Sequence, residues 1–261
     1  MSDWLAETFQ LRFGWSQTTI RPDLREVTDA SYIDPLTDIL TRGNSGVVPA
    51  DVTNYDVRAE WRFASGDSFT ITLFDKELDQ PIEFFETAAS DTTIAREILN
   101  AESAFVRGVE LEALKQLDFL GDIGQMFFVQ GNVTLQESEL EVGPRASAPT
   151  NPVRELAGAS DYVANVMLGF DSPGGQHSAS LIYNVFGERL FVAGRNGAPD
   201  AFEQPFNSLD VNYTWYPTEA LTVKVKAQNV LDDTIEIERD GAVTFEEKPG
   251  ATFSLSAAYK F

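Results

Sequence analysis

The feature that most constrains the fold of this chain is a repeated alternation of apolar and polar residues. In the segment LDVNYTWY, which begins at Leu209, every second residue is apolar or aromatic and most of the others are polar. Successive side chains of a strand point to opposite faces of a sheet, so this period of two predicts a strand with one apolar face. The chain contains about ten such segments, near residues 5–17, 52–64, 67–78, 101–114, 125–137, 160–171, 176–187, 207–216, 220–229 and 250–261.

These segments are long, and the connections between them alternate in length. Strands of ordinary sheets have about 5 or 6 residues, whereas about ten residues suit a tilted strand that crosses a bilayer. The short connections are ASGD, KQLDFLGDIGQ, SPGG and PTEA; the long ones lie near 18–51, 79–100, 138–159, 188–206 and 230–249. Short turns at one end and long loops at the other are typical of outer-membrane barrels. We therefore predict an all-β fold, an antiparallel up-and-down transmembrane β-barrel.

Composition excludes several classes of function. The 41 acidic and 19 basic residues give a net charge of -22, which opposes binding to nucleic acid, and we assign the acidity to solvated loops. The absence of cysteine excludes thiolate chemistry and disulfides. We find no apolar run long enough for a transmembrane helix. The opening MSDWLAETFQLRF lacks the basic and apolar regions of a signal peptide, so none is predicted.

The sequence offers little support for catalysis or metal binding. His177 is the only histidine, and the pattern places it beside the short turn SPGG as an exposed residue. The carboxylates at 232–233, 236, 238 and 246–247 lack the spacing of a dedicated calcium loop. We therefore predict no catalytic residue, no cofactor and no metal site.

Charged residues also occupy the polar faces of the predicted strands. In a barrel these faces line the lumen, where opposite charges on neighbouring strands form ion pairs. The residues predicted to face the lumen are Arg58, Glu60, Arg62, Glu110, Glu112, Lys224 and Lys226. Aromatic residues near the short turns predict a girdle at the membrane boundary; they are Trp61, Phe63, Trp215, Tyr216 and Tyr259.

The chain ends on the alternating segment FSLSAAYKF. This ending resembles the C-terminal signal by which the barrel-assembly machinery recognises outer-membrane proteins, with a final aromatic residue and spaced apolar residues before it. The resemblance implies an assembly signal formed by Phe253, Leu255, Tyr259 and Phe261. The same residues are expected to face membrane lipid.

A longer series of segments carries a family resemblance. It comprises WSQTTIRPDLREV, NYDVRAEWRF, SFTITLFDKELDQPIE, SAFVRGVELEA, GNVTL, QNVLDD and PGATFSLSAAYKF, in that order. The series resembles the C-terminal half of the barrel of a proteobacterial TonB-dependent receptor and covers nearly the whole chain. The resemblance implies that residues 1–261 form about ten strands of a barrel of about 22, without a plug domain. The RPDLRE segment supplies Arg21, Asp23 and Arg25 as possible ligand or loop contacts.

The resemblance also implies a function and partners. Such a receptor lies in the bacterial outer membrane and imports a scarce nutrient, with TonB and a plug domain as partners of the full-length form. A siderophore, cobalamin or an oligosaccharide remains open as the substrate, and the family resemblance slightly favours a carbohydrate. The alternatives are a passive pore of ten strands, an outer-membrane hydrolase that uses His177, and a soluble β-sandwich that binds a ligand.

Overall fold

The computed structural model describes residues 8–33, 39–63, 66–88 and 94–261, and in these ranges the fold consists of strands and two short 3-10 helices. The helices span Asp118–Leu120 and Gly124–Met126. The strands are β1 (Phe9–Ile20), β2 (Ser31–Ile33), β3 (Leu40–Arg42), β4 (Ala50–Arg62), β5 (Ser68–Asp79), β6 (Ile82–Ala88), β7 (Ile94–Asn100), β8 (Ser103–Gln116), β9 (Phe127–Glu141), β10 (Val153–Arg154), β11 (Tyr162–Asp171), β12 (His177–Phe186), β13 (Arg189–Val192), β14 (Ala201–Glu203), β15 (Phe206–Thr218), β16 (Leu221–Gln228), β17 (Ile235–Arg239), β18 (Ala242–Glu247) and β19 (Thr252–Tyr259).

One large antiparallel sheet contains all ten of the predicted long strands. Its order is β1-β4-β5-β8-β9-β11-β12-β15-β16-β19, and the short β10 pairs with β9. Each long strand between β1 and β19 therefore pairs with the long strand before it and the one after it, which confirms the up-and-down arrangement. The strand bounds differ from the predicted ones by a few residues. Residues 5–7 of the first predicted strand, residue 64 of the second and part of the ASGD turn lie outside the described ranges.

The register of the sheet separates an apolar face from a polar face. Directly opposed residues form one continuous apolar row from β1 to β11: Phe13, Val57, Leu73, Val109, Leu135 and Tyr162. The next row, one residue along, contains Gly14, Asp56, Phe74, Gly108 and Gln136. Phe74 is thus a large apolar side chain on the polar face. The backbone of β9 approaches Gly108 so closely that a larger residue would not fit. A Cβ atom at this position would lie 2.3 Å from the carbonyl oxygen of Leu135.

The apolar face of the large sheet is exposed. Phe13 and Leu255 are each 75% accessible and Leu73 is 53% accessible, so no second sheet covers this face within the described residues. A soluble β-sandwich would bury the same side chains, and that alternative is therefore wrong. The strands β1 and β19 form the two edges of the sheet and do not pair with each other. Among the described residues there is no helix of the length and hydrophobicity needed to cross a membrane.

Aromatic rings collect on the apolar face beside the short turns. Trp61 lies between Phe9 and Phe69, with ring centroids 4.9 and 5.9 Å away. His177 stacks against Tyr213 and Trp215 on the same face, and its Nδ1 lies 2.7 Å from the Tyr213 hydroxyl oxygen. His177 thus flanks the short turn and is half-buried, as one ring of an aromatic stack on the exposed face.

The long connections contain short strands and two further sheets, which the sequence analysis treated as loops. One sheet has the order β2-β3-β7-β6, and the other has the order β13-β14-β17-β18. Two turns within the second sheet have consecutive residues with positive φ, namely Asn196-Gly197 (54° and 82°) and Asp240-Gly241 (53° and 72°). This geometry belongs to type I′ turns, which favour these residue pairs.

The buried core lies mainly at the long-loop end of the molecule. One cluster comprises Phe85, Ala101, Ala104, Leu140 and Val142; another comprises Val192, Ala201 and Ile237. These residues come from the two small sheets, from the loop-side ends of long strands and from the connections beside them. The loops therefore form a packed structure of their own above one end of the large sheet.

Candidate functional site

The RPDLRE segment, which follows β1, forms a turn that its own carboxylates stabilise. The backbone N–H of Asp23 donates to Glu26 Oε2 at 2.7 Å, and the N–H of Leu24 donates to Asp23 Oδ1 at 2.7 Å. The guanidinium of Arg25 lies 5.8 Å from the centre of the Tyr32 ring. Arg21 is exposed at the end of the strand. The contacts of Asp23 and Arg25 in the structure are thus contacts within the loop.

The charged residues expected in the lumen share the polar face of the large sheet but form separate groups. Arg58 donates twice to Glu112, at 2.8 and 3.2 Å, and Arg62 pairs with Glu60 at 2.5 Å. Glu110 lies opposite Thr72 and Thr134. The lysines lie five strands from β8: Lys224 is opposite Thr214 and Ser256, and Lys226 is opposite Asn212 and Ser254.

The residues expected to form an assembly signal occupy the edge strand β19 and the end of the chain. Phe253, Leu255 and Tyr259 lie opposite Ala227, Val225 and Leu221, which belong to the apolar face. Phe261 follows the strand, and its ring lies edge-on to that of Tyr259 at 5.3 Å. All four side chains are strongly exposed.

A cavity of about 720 Å³ lies between the two small sheets of the loop region, β2-β3-β7-β6 and β13-β14-β17-β18, which we call the loop sheets. Its lining combines the apolar residues Ile39, Phe191, Val192, Ala201, Ile235, Ile237 and Phe245 with the polar residues Glu86, Arg96, Glu203, Arg239, Thr244 and Glu247. Its volume falls within the range of about 300–1,000 Å³ that is usual for small-molecule sites. Apolar walls with a few polar groups are also usual for such sites. We therefore treat this cavity as the candidate ligand site.

Charged side chains from both small sheets line one side of the cavity. Glu86 on β6 is the cross-strand neighbour of Arg96 on β7. Arg239, from the other loop sheet, places Nη2 2.6 Å from Glu86 Oε1. Arg96 is 93% buried, since its exposure is 7%, and its guanidinium lies 5.1 Å from the centre of the Phe191 ring. The ion pair between Glu86 and Arg239 therefore joins the two loop sheets at the wall of the cavity.

Two more carboxylates line the cavity. Glu203 accepts hydrogen bonds on both oxygens from Arg189, at 2.7 and 2.9 Å, and is thereby neutralised. Glu247 lies on β18 opposite Ile235. Glu86 is thus the carboxylate of this wall that pairs with an arginine of the other sheet.

A second buried ion pair connects the loops beside the cavity. Arg154 Nη2 lies 3.4 Å from Glu83 Oε2, and Nη1 donates to the carbonyl oxygen of Glu155 at 2.9 Å. Burial raises the pKa of Glu83 above its ordinary value, and the positive charge of Arg154 opposes this rise. Burial also raises the pKa of Glu155, and repulsion from Asp161 and other carboxylates adds to the rise. The loop region therefore holds one strongly buried ion pair, in which the charges of Glu83 and Arg154 depend on each other.

Sequence reasoning missed Glu86, Arg96, Phe191 and Arg239. A usable signal existed in the segment IEIERDGAVTFEE, where Asp-Gly lies between two runs that contain alternating apolar residues. Asp-Gly in that setting is a strong indication of a hairpin, and it predicts β17 and β18. The described residues contain no group of three or more histidine, aspartate or glutamate side chains arranged to hold a metal ion.

Comparisons with known proteins agree with this architecture. A search of curated proteins gave no match. Among solved structures, a mutant of the ferric enterobactin receptor PfeA of Pseudomonas aeruginosa superimposes with a TM-score of 0.65 and 18% identity. The ferric-catecholate import receptor Fiu of Escherichia coli K12 gives 0.64 and 15%, and the ferric yersiniabactin uptake receptor FyuA of Yersinia pestis gives 0.63 and 17%.

These three alignments cover 98% of this chain but only 38%, 33% and 35% of the respective receptors. The chain thus spans little more than a third of the length of these structures. The family model described as "TonB dependent receptor-like, beta-barrel" matches residues 3–230, which is most of the sequence. The chain therefore belongs to the TonB-dependent receptor-like β-barrel family.

Proposed function

We propose that this chain forms part of the wall of an outer-membrane receptor that imports an iron–siderophore complex with energy supplied through TonB. The observation that carries the proposal is the ten-strand sheet with one continuous apolar face, in a chain of this family. The similar structures were solved from receptors named for ferric enterobactin, ferric catecholate and ferric yersiniabactin. They favour an iron chelate over cobalamin or an oligosaccharide, and so replace the slight preference for carbohydrate.

In this proposal the apolar face contacts lipid and the polar face contacts the lumen. The exposure of Phe13, Leu73 and Leu255 supports this orientation, because such a surface is costly in water. The polar face would then present the ion pairs of Arg58 and Arg62 to the lumen, together with Glu110, Lys224 and Lys226. The aromatic groups beside the short turns would lie at the periplasmic membrane boundary.

The free edges of the sheet support assembly into a larger barrel. Within the described residues, strands β1 and β19 have backbone groups without partners along one side, and each unsatisfied group costs several kcal/mol in hydrocarbon. Further strands that pair with both edges would remove this cost and enclose a lumen. A plug domain and TonB would act on that complete barrel. We also propose that the barrel-assembly machinery recognises the end of the chain when it inserts the protein into the membrane. The recognised residues are Phe253, Leu255, Tyr259 and Phe261.

Uptake of radioactive iron by cells tests the import proposal. A strain without the gene, grown under iron limitation, is expected to lose uptake of at least one ferric siderophore and to regain it with the intact gene. The uptake should also stop when TonB is absent. Equal uptake with and without the gene, across ferric catecholates and ferric hydroxycarboxylates, would contradict the proposal. Uptake that continues without TonB would indicate a passive pore instead.

A further inference from the structure

We propose that the apolar face beside the turn between β8 and β9 binds one phospholipid molecule, with phosphatidylethanolamine as the preferred headgroup. A shallow groove in this face holds an acyl chain, and the ammonium of Lys115 at the end of the groove binds the phosphate. The inference rests on the proposed function, because that proposal places the apolar face in lipid and the short turns at the periplasmic boundary of the membrane.

The groove results from the sizes of the side chains in one row of the large sheet. Four directly opposed residues on β5, β8, β9 and β11 form this row: Phe69, Ala113, Gly131 and Val166. The two small residues lie between two larger ones, and they leave a depression two strands wide. With its neighbours the depression forms a groove of about 240 Å³. The other apolar residues of the lining are Leu111, Val129 and Val133. A lipid chain in such a groove gains dispersion contacts that a flat surface does not offer.

A positive charge lies at the end of the groove that is nearer the short turn. Lys115 follows Ala113 by two residues on β8, so it shares the apolar face, and it lines the groove. Its ammonium donates to Asp67 Oδ2, while Asp67 Oδ1 accepts the backbone N–H of Gln116 at 2.8 Å. The Lys115 side chain is still 50% exposed. Because an ammonium has three N–H donors, Asp67 fixes the position of the charge and leaves donors for a phosphate.

The turn that follows presents apolar side chains on the same surface. Phe119, Leu120 and Ile123 are 67%, 63% and 71% exposed. The turn is nevertheless folded, since the N–H of Leu120 donates to the carbonyl oxygen of Leu117 at 2.9 Å. Lys115 Nζ lies 5.7 Å from the centre of the Phe119 ring, so the turn continues the surface of the groove. Such apolar groups are costly in water and favourable at the level of lipid headgroups.

The charges of the turn select the headgroup. Residues 117–126 include Asp118 and Asp122, which are both exposed, and contain no lysine, arginine or histidine. Asp118 adjoins Phe119, the ring that lies beside Lys115. A headgroup with a phosphate and an ammonium group complements this arrangement, whereas the carboxylates repel a purely anionic headgroup. Phosphatidylethanolamine carries both groups, and its ammonium donates hydrogen bonds, which the quaternary nitrogen of phosphatidylcholine does not.

Native mass spectrometry of the full chain, released from detergent micelles, measures the binding of single lipid molecules. The probes are phosphatidylethanolamine, phosphatidylglycerol and phosphatidylcholine with identical acyl chains. We expect one phosphatidylethanolamine to bind about tenfold more tightly than either of the other lipids. Lys115→Gln should weaken its binding about tenfold, whereas Lys115→Arg, which keeps the charge, should retain it. Ala113→Leu fills the groove from an exposed position and should also weaken binding about tenfold.

Matched controls repeat each change at another place on the large sheet. Lys224→Gln removes the same charge from the polar face, and Ala257→Leu enlarges an exposed alanine of the apolar face on β19. Both variants should bind phosphatidylethanolamine like the wild type. Exchange of the Leu117 amide hydrogen, which is bonded to Phe127 O at 3.0 Å, checks that the turn remains folded in each variant.

Two results would overturn the inference. Equal affinity for the three lipids would show that the turn does not select a headgroup. Wild-type affinity in Lys115→Gln or in Ala113→Leu would show that the lipid does not occupy this groove.

The outcomes also separate this inference from the import proposal. If cells take up a ferric siderophore through this protein but Lys115→Gln leaves lipid binding unchanged, the lipid site is wrong and import stands. If the purified chain shows the expected lipid binding but cells without the gene take up iron normally, the import proposal is wrong and the lipid site stands.

Discussion

The buried ion pair between Glu83 and Arg154 leads to a quantitative prediction about the loop region. The two side chains are 11% and 3% exposed, and a single contact of 3.4 Å joins them. Removing one member of a buried pair costs about 3–5 kcal/mol, because the other charge stays buried without compensation. We therefore expect Arg154→Met to destabilise the packed loops by about this amount.

Replacing both members should have a different effect. The contact is long, and Arg154 Nε is buried without a hydrogen-bond partner in the described region, so the pair recovers little of its desolvation cost. Apolar replacement of a whole buried pair is often neutral or stabilising by about 1–4 kcal/mol. The double variant Glu83→Leu/Arg154→Met should therefore be at least as stable as the wild type.

Native-state hydrogen exchange can measure both effects locally. The amide of Ala101 donates to Pro81 O and that of Val142 donates to Pro152 O, so both amides report opening of the loops around the pair. Each tenfold change in exchange rate corresponds to about 1.4 kcal/mol. We expect exchange to accelerate about 100-fold or more in Arg154→Met and to remain unchanged or slow down in the double variant.

The pH dependence of the opening free energy provides an independent test of this reasoning. Burial raises the pKa of Glu83 in the folded loops above the ordinary value of 4.5, so the folded form binds this proton more tightly than the open form does. The opening free energy of the wild type must therefore fall as pH rises from 4.5 through the folded pKa. The double variant lacks this titration, so its advantage over the wild type should shrink on acidification. Equal exchange rates in Arg154→Met and the double variant, or an advantage independent of pH, would refute the reasoning.

Three further predictions concern the large sheet, one hairpin of the loop region and the end of the chain. Leu111→Arg, on the apolar face, should cost about 2–4 kcal/mol in denaturant titrations of the protein in lipid vesicles, whereas Thr134→Arg, on the polar face, should cost much less; equal costs would contradict the orientation. Gly241→Ala should cost about 1–2 kcal/mol because φ is 72° there, visible as faster amide exchange in the β17–β18 hairpin. Deletion of Phe261 should slow membrane insertion in cells, measured by the heat-dependent mobility shift of folded barrels, while Lys260→Ala should insert normally.

The large sheet was predictable because its two faces have different chemical environments and each strand is long. A period of two over about ten residues is visible in one segment without knowledge of its partner. The face on which His177 lies could also have been predicted from the sequence. His177 is opposite Trp215 and shares the apolar face. Its parity along the strand would have placed it beside the rings of Tyr213 and Trp215.

The loop sheets were harder to predict because their strands are short and their partners are distant in sequence. Leu40 on β3 lies beside Ala95 on β7 in a parallel pair, and the two residues come from different long connections. Glu86 and Arg239 are 153 positions apart. No local sequence pattern indicates such a contact. The cavity is therefore visible only in the three-dimensional structure. The Asp-Gly and Asn-Gly turns could have been predicted, because the conformational preference of these residue pairs is local.

Pairing of each long strand with its neighbours along the chain has a consequence for the evolution of such proteins. Two long strands and the short turn between them form a unit that can be duplicated, lost or exchanged as a whole. Such a change alters the circumference of the barrel by two strands and leaves the direction of every later strand unchanged. Gain of a single strand would reverse all the strands that follow and send their long loops to the wrong side of the membrane. Changes in barrel size within the family are therefore expected to occur in whole hairpins.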